Sequence, residues 1–431
     1  MDYLRLRHGK LARWVRGGIS RWLAGPNAWP LVFRAPSAQT DFPHGVSSNL
    51  YVHLPFCKQL CPHCPYNRVL MRSDLVNAYG RALEREVAGY LRRPGVPTIR
   101  TLYFGGGTPS QTPKLIEQVV TMVRSKLAFA AEIGVEVHPA DASSALLARL
   151  REAGVNRISL GVESLRDDLL RKLARRYDPQ SALEAIRAAR SVAFSCVDVN
   201  LIIGMPGQRA EDSATDAERC LALGADQVSA YPLFHFAHSS FGRNGRVQDS
   251  GERERLRALK AVSRVCRAAG LQRTSVWSFT RTGLSPYSTV THEDYVGFGA
   301  GAGSKVGGVF WFNTFSVPEY AGSMVVHPAL VMQAGERLRR AHWLYWAIYG
   351  THIEASRYQA LFGRSLKRDF GLLLTGLRAA GLARSDAAGW TITETGAIWV
   401  HRVQSLFSLS HIDNLWQHCR NHPWPREVVL V

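Results

Sequence analysis

The sequence predicts an α/β fold: a largely parallel sheet rolled into a full or partial barrel, followed by a helical C-terminal domain. Three observations carry this. From Tyr51 to about Phe279, short apolar, β-branched runs alternate with helical patterns, and strands alternating with helices build right-handed βαβ units that curl into a barrel when repeated. After Pro328 the order becomes helices followed by the run "GWTITETGAIWV", a winged-helix-like arrangement. The 431 residues also exceed what one hydrophobic core usually fills, so a smaller domain is expected beside a large one. The expected divisions are a basic N-terminal arm and connector over 1–48, a barrel over 49–327, and the winged-helix-like domain over 328–431.

The arm comes first. Residues 1–25 hold Arg5, Arg7, Lys10, Arg13, Arg16 and Arg21 against one acid, Asp2. Leu4, Leu11, Trp14, Val15, Trp22 and Leu23 recur near helical spacing, with Gly17-Gly18 expected to interrupt a continuous helix. Such a basic, Trp-bearing amphipathic segment suits the surface of an anionic membrane, or packing onto its own catalytic domain.

The strand candidates follow as "LYVHLP", "TLYFGG", "IGVEVHP", "RISLGV", "CVDVNLIIG" and "DQVSAYPL", with "RTSVWSF" a seventh. Between them, "DLVNAYGRALEREVAGYL" places Val76, Tyr79, Leu83, Val87 and Leu91 on one helical face, and "SSALLARLREAG" closes at Gly154. In such folds the loops at strand C-termini carry the chemistry.

Composition limits the function classes. An apolar fraction of 46% and a charged fraction of 20% describe a soluble globular chain, and the apolar runs fall short of the roughly 20 residues a membrane span needs. Seven cysteines, three of them clustered, fit a reducing cytoplasm better than a disulfide framework. A net charge of +19 favours acidic partners in general. Without zinc-finger spacing, an RNP-like strand or a basic zipper, nucleic acid is not expected.

The chemistry gathers at "YVHLPFCKQLCPHCPYN", where Cys57, Cys61 and Cys64 follow the first strand with no fourth cysteine nearby. A structural zinc would close its tetrahedron with a fourth protein ligand, yet His63 sits between two cysteines and His53 lies within the strand. A 4Fe-4S cube held by three thiolates, its fourth iron left open, accounts better for the incomplete set. "YFGGGTPS" ends the second strand, with Gly106 and Gly107 letting backbone approach a ligand and Thr108 adding a hydroxyl. "GVEVHP" carries Glu136 at the end of the third.

These motifs resemble the radical S-adenosylmethionine (SAM) superfamily. With "NRISLGVESLRDDLLRKLARRYD", "VNLIIGMPGQ" and "DYVGFGAGAGS" they resemble its oxygen-independent coproporphyrinogen oxidase-like family, which includes the oxidases, heme chaperones and class C methyltransferases. The resemblance covers most of residues 50–400. It implies a partial (βα)6 TIM-like barrel with a C-terminal winged-helix-like domain, and a 4Fe-4S cluster whose open iron binds SAM for reductive cleavage to a 5'-deoxyadenosyl radical. It also implies a reductant such as flavodoxin or ferredoxin and a small-molecule substrate. By the same resemblance, Tyr51 lies beside SAM, Gly106, Gly107 and Thr108 lie along its methionyl part, Glu136, Arg175 and Ile202 surround the methionine and adenosine, and Ala230 is near the adenine. Arg175 suits a carboxylate, which its planar fork binds bidentately.

Three positions depart from the family pattern. Tyr66 stands where the oxidases carry a further cysteine, which argues against that activity. Glu163 replaces the usual Gln and Asn200 the usual Asp, so a carboxylate and an amide are exchanged, and both are candidate catalytic residues. The leading expectation is a class C-like methyltransferase or C–C bond-forming enzyme, with a second SAM beside the first, acting on a lipophilic or planar aromatic substrate. The alternatives are a heme-binding chaperone and a coproporphyrinogen decarboxylase. The expected location is the cytoplasm, with peripheral membrane contact.

Overall fold

The computed structural model describes residues 10–25, 29–37, 40, 42, 47–93, 98–126, 129–234, 236, 238–241, 251–286, 293–325, 327–404 and 410–430. All six leading strand candidates form: β1 (Asn49–Leu54), β2 (Ile99–Gly106), β3 (Phe129–Val137), β4 (Arg157–Glu163), β5 (Cys196–Ile203) and β6 (Gln227–Pro232). They pair in parallel in chain order. The seventh candidate divides into β7 (Leu271–Arg273) and β8 (Ser278–Arg281), an antiparallel hairpin in which β8 pairs with β6. A further strand, β9 (Val296–Phe298), lies parallel to β1 at the other edge. The nine-stranded sheet, ordered β7-β8-β6-β5-β4-β3-β2-β1-β9, curls without closing.

The strand pattern explains the two faces. Leu50, Val52 and Leu54 of β1 are fully buried between sheet and helices, while Tyr51 and His53 project to the opposite side. The helix Ser73–Leu91 packs on the Leu50, Val52 and Leu54 side through Tyr79, Leu83, Val87 and Tyr90. Ser143 caps the helix Ser144–Glu152 by accepting from Leu146 N at 3.3 Å, and Gly154 (φ +99) ends it.

Beyond the barrel, the helix Glu336–Tyr349, the strand His352–Glu354, the helices Ala355–Phe362 and Leu366–Ala379, and the strands Ala383–Ser385 and Gly389–Ile392 follow winged-helix order, with the last strand central in its three-stranded sheet. A separate antiparallel sheet of five strands, taken in spatial order, joins Gly303–Val306, Val309–Phe312, Leu330–Gln333, Leu31–Arg34 and Glu427–Leu430. It thus draws on all three stretches into which the sequence was divided. Phe33, Phe315, Leu330, Leu415 and Val428 form its core.

The N-terminal helix departs from expectation. It runs unbroken from Lys10 to Ala24, through Gly17-Gly18. Tertiary contact outweighs the glycine cost of about 1 kcal/mol each: Gly17 is buried, a Cβ there would lie 3.3 Å from Trp29 Nε1, and Arg337 donates to the Trp22 carbonyl at 2.6 Å. Asp2, Leu4, Arg5 and Arg7 lie outside the described residues.

Candidate active site

The cysteine loop leaves β1 and returns as a short parallel pairing of Phe56–Cys57 with Val69–Leu70, so its ends are tied by Val69 N→Pro55 O (2.8 Å) and Met71 N→Cys57 O (2.9 Å). Between them the loop is held from within. Arg68 donates to the Cys61 carbonyl, and Asn67 donates to Ala300 O and Phe315 O at 3.1 and 2.9 Å while its own carbonyl meets His53 Nε2 at 2.7 Å. The helix Ser410–Asn421 clamps it from outside. His238 sits with Nδ1 at 2.6 Å from Asp413 Oδ1 and Nε2 at 3.0 Å from Pro65 O, and Arg420 donates to Pro65 O and Tyr66 O at 2.7 and 2.6 Å. The Tyr66 ring leans on Trp416, with centroids 5.9 Å apart.

Cys57, Cys61 and Cys64 are free thiols and all line one cavity of about 1050 Å³. Burial pushes the Cys57 thiol up to about 11, opposed by a hydrogen bond with Thr108 Oγ1 at 3.4 Å, and burial also raises Cys64. Among the described residues no three His, Cys, Asp or Glu side chains converge on a single ion. Three thiols set around a space suit a cluster, and its binding would draw off their protons.

The glycines of β2 serve the protein's own packing first. Gly106 (φ +120) sits where a Cβ would lie 2.8 Å from the His53 ring, and a Cβ on Gly107 would lie 2.6 Å from the Pro55 carbonyl carbon. Both, with Thr108, also line the cavity. Glu136 anchors the turn by accepting from Tyr103 OH at 2.7 Å and from Gly106 N at 3.2 Å, and burial raises its carboxyl to about 7 against those bonds.

Glu163 reaches the cavity through an irregularity. The β4–β5 register shifts between Gly161, opposite Asn200, and Glu163, opposite Leu201, and Glu163 adopts φ +62. A bulge and a left-handed non-glycine residue together mark a strained position, costing on the order of 1–3 kcal/mol and characteristic of functional sites. Its carboxylate pairs with Arg175, both side chains being almost buried. Burial raises the Glu163 carboxyl and the Arg175 guanidinium opposes that rise. Among the described residues Arg175 Nε is buried with no hydrogen-bond partner, a donor left for a ligand.

Asn200 belongs to a second network. It donates to Ser159 Oγ at 2.7 Å, Ser159 donates to Asp198 Oδ2 at 2.6 Å, and Ser229 donates to Asp198 Oδ1 at 2.9 Å. Burial raises Asp198 to about 6. A carboxylate therefore stands two residues before the amide, and both line the cavity.

Ile202 also lines the cavity, whereas Tyr51 and Ala230 are not among its lining residues. Tyr51 stacks on Tyr103 with centroids 6.0 Å apart and bonds His53 Nδ1 at 2.8 Å, whereas Ala230 is fully buried within β6, its N–H donating to Trp277 O at 2.9 Å. The cavity is also lined by an aromatic wall the sequence reading did not single out: Trp277, Trp343, Tyr345, Trp346, Tyr349 and Trp416.

Residues 51–219 match the model of the radical SAM superfamily. The chain is 31% identical over 300 residues to the radical S-adenosyl methionine domain-containing protein 1, mitochondrial, of Mus musculus, covering 67% of each chain. It is 27% identical over 379 residues to the heme chaperone HemW of Bacillus subtilis, covering 83% of this chain and 98% of that one. This chain belongs to the HemN/HemW-like family of radical SAM proteins. Consistent with this radical SAM assignment, it is 27% identical over 396 residues to the oxygen-independent coproporphyrinogen III oxidase of Pseudomonas aeruginosa, covering 83% and 85% of the two chains. Its fold matches that of coproporphyrinogen III oxidase (HemN) from Escherichia coli with a TM-score of 0.72 at 23% identity, over 87% of this chain and 96% of that one. Membership of the radical SAM family implies a 4Fe-4S cluster and SAM. The three cysteines would hold the cluster, and the Gly106–Thr108 turn, Glu136 and the unpartnered Arg175 Nε are donors and acceptors suited to an amino acid head group.

Proposed function

We propose that this radical SAM enzyme cleaves SAM reductively at the cysteine end of the cavity and acts on a planar, tetrapyrrole-class ligand stacked on the aromatic wall. The observation that carries the reading is one cavity of about 1050 Å³ lined both by the three thiols with charged and polar side chains and by a group of large aromatic side chains. That volume is at the top of the ~300–1,000 Å³ usual for a single ligand, which leaves room for cofactor and substrate together. Large flat aromatic side chains bind planar rings through offset and edge contacts. Two of the relatives reported above are named a heme chaperone and a coproporphyrinogen III oxidase, and both names concern such rings.

A heme chaperone is the second reading. HemW relatives favour it, and His63, His138 and His352 line the cavity as sources of an axial ligand. Decarboxylation of coproporphyrinogen is disfavoured by Tyr66 in place of a cysteine. Methyl transfer, the leading expectation from sequence, has no support in the names of these relatives, and formation of S-adenosylhomocysteine is the product that would restore it.

Anaerobic titration with heme and with coproporphyrin, followed by absorbance, tests the ligand class. The expected result is saturable binding, weakened about five- to tenfold by Trp346→Ala. Spectra that remain those of the free ring at every protein concentration overturn the tetrapyrrole reading.

A further inference from the structure

The helix Lys10–Ala24 has no role in the cavity, and the superfamily match begins only at residue 51. It nevertheless presents a defined outer stripe. Trp14 is 77% exposed and Trp22 52% exposed, and Gly18 and Arg21 between them are exposed as well. Positions 14, 18, 21 and 22 fall within about 100° of one another around a helix. The inner side is secured: Gly17 is buried near Trp29, Leu23 packs on the main core, and Arg337 holds the Trp22 carbonyl. The tryptophans are thus displayed by a helix fastened down on its other side.

Two tryptophans left in water on a folded helix are costly, and their companions identify what covers them. The segment contains Lys10, Arg13, Arg16 and Arg21 and no acidic residue, within a chain of net charge +19. Indole rings prefer the headgroup level of a bilayer, and Lys and Arg near an anionic surface each strengthen binding about fivefold. At 15 residues with basic positions throughout, the helix is too short and too charged to cross a membrane.

We infer that the outer stripe of the helix Lys10–Ala24, carrying Trp14, Arg21 and Trp22, is a docking face for the surface of an anionic bilayer. The helix packs on Glu336–Tyr349, whose Trp343, Tyr345, Trp346 and Tyr349 line the cavity, so docking brings the aromatic wall close to the lipid.

The test is co-sedimentation of the full chain with phosphatidylcholine vesicles, with and without 30 mol% phosphatidylglycerol, at low and at about 150 mM salt. The wild type is expected to bind the anionic vesicles at both salts. The Trp14→Ser/Trp22→Ser double variant, whose exposed substitutions leave the packed side intact, is expected to lose at least about tenfold in affinity. Three results overturn the inference: no binding by the wild type, equal binding by both forms, or binding that vanishes at the higher salt and is matched by a double-stranded oligonucleotide. The last would show a general polyanion surface in which the tryptophans take no part.

Discussion

His238 Nδ1 lies 2.6 Å from Asp413 Oδ1, across 175 residues of sequence, and the same ring's Nε2 lies 3.0 Å from the carbonyl of Pro65. Both ring nitrogens lie within hydrogen-bond distance of oxygen atoms, one of a buried carboxylate and one of the residue following Cys64. The C-terminal helix thereby holds the cysteine loop. Asp413→Ala is expected to cost roughly 1–3 kcal/mol, the usual penalty for leaving a buried hydrogen-bonding group without its partner, and Asp413→Asn less. After reconstitution, the Ala variant should lose iron to a chelator faster than wild type. Equal iron retention, with only the melting temperature lowered, would show that the clamp stabilises the fold without positioning the loop.

Each motif cysteine should be required. Cys57→Ala, Cys61→Ala and Cys64→Ala are expected to impair binding of iron and sulfide, because each removes a thiolate from a set with no fourth. Cys196, buried beside Tyr51 and Tyr103, is the control. Iron and sulfide analysis checks this, and a full cluster complement in any of the three motif variants contradicts it.

The exchanged pair Glu163 and Asn200 acts through different partners, Arg175 for one and Ser159 for the other. Glu163→Gln frees Arg175 and is expected to slow SAM cleavage about tenfold or more. Adding Asn200→Asp places a second carboxylate beside Asp198, which is already raised to about 6. Partial recovery in the double variant would show that the two positions serve one ligand, and strictly additive losses would show that they act separately.

Glu136 supplies a pH test. Its carboxyl in the folded apoprotein is raised to about 7, against roughly 4.3 in an unfolded chain. A raised acid favours folding while protonated, so its contribution is present below about 4.3 and is lost as pH rises through 7. Glu136→Gln, which resembles the protonated form, should match wild-type stability near pH 4 and exceed it near pH 8 by a few degrees in melting temperature. Parallel curves for the two proteins across that range would contradict the assignment.

Much of this was legible in local sequence. The six strands β1–β6 announced themselves by alternating or continuous β-branched runs, and the cysteine spacing pointed to an incomplete ligand set. What escaped is non-local. His238, Asp413, Asn67 and Arg420 act through contacts with residues far away in the chain, and such pairs leave no periodicity to read. β9 is three residues of a glycine-rich run, too short for a pattern. Gly17-Gly18 reads as a break because propensity is local, whereas the packing that overrides it comes from Trp29 and Arg337. Tyr51 and Ala230 were expected from resemblance alone, and whether a strand residue faces the cavity depends on strand pleat and register.

The most direct test is anaerobic reconstitution with iron and sulfide, addition of SAM and a strong reductant, and mass analysis of the products. The account predicts 4Fe-4S absorption and 5'-deoxyadenosine from the wild type, and no 5'-deoxyadenosine from Cys61→Ala. Stoichiometric zinc in anaerobically purified protein, or a full 4Fe-4S cluster that yields no 5'-deoxyadenosine with SAM present, would contradict it.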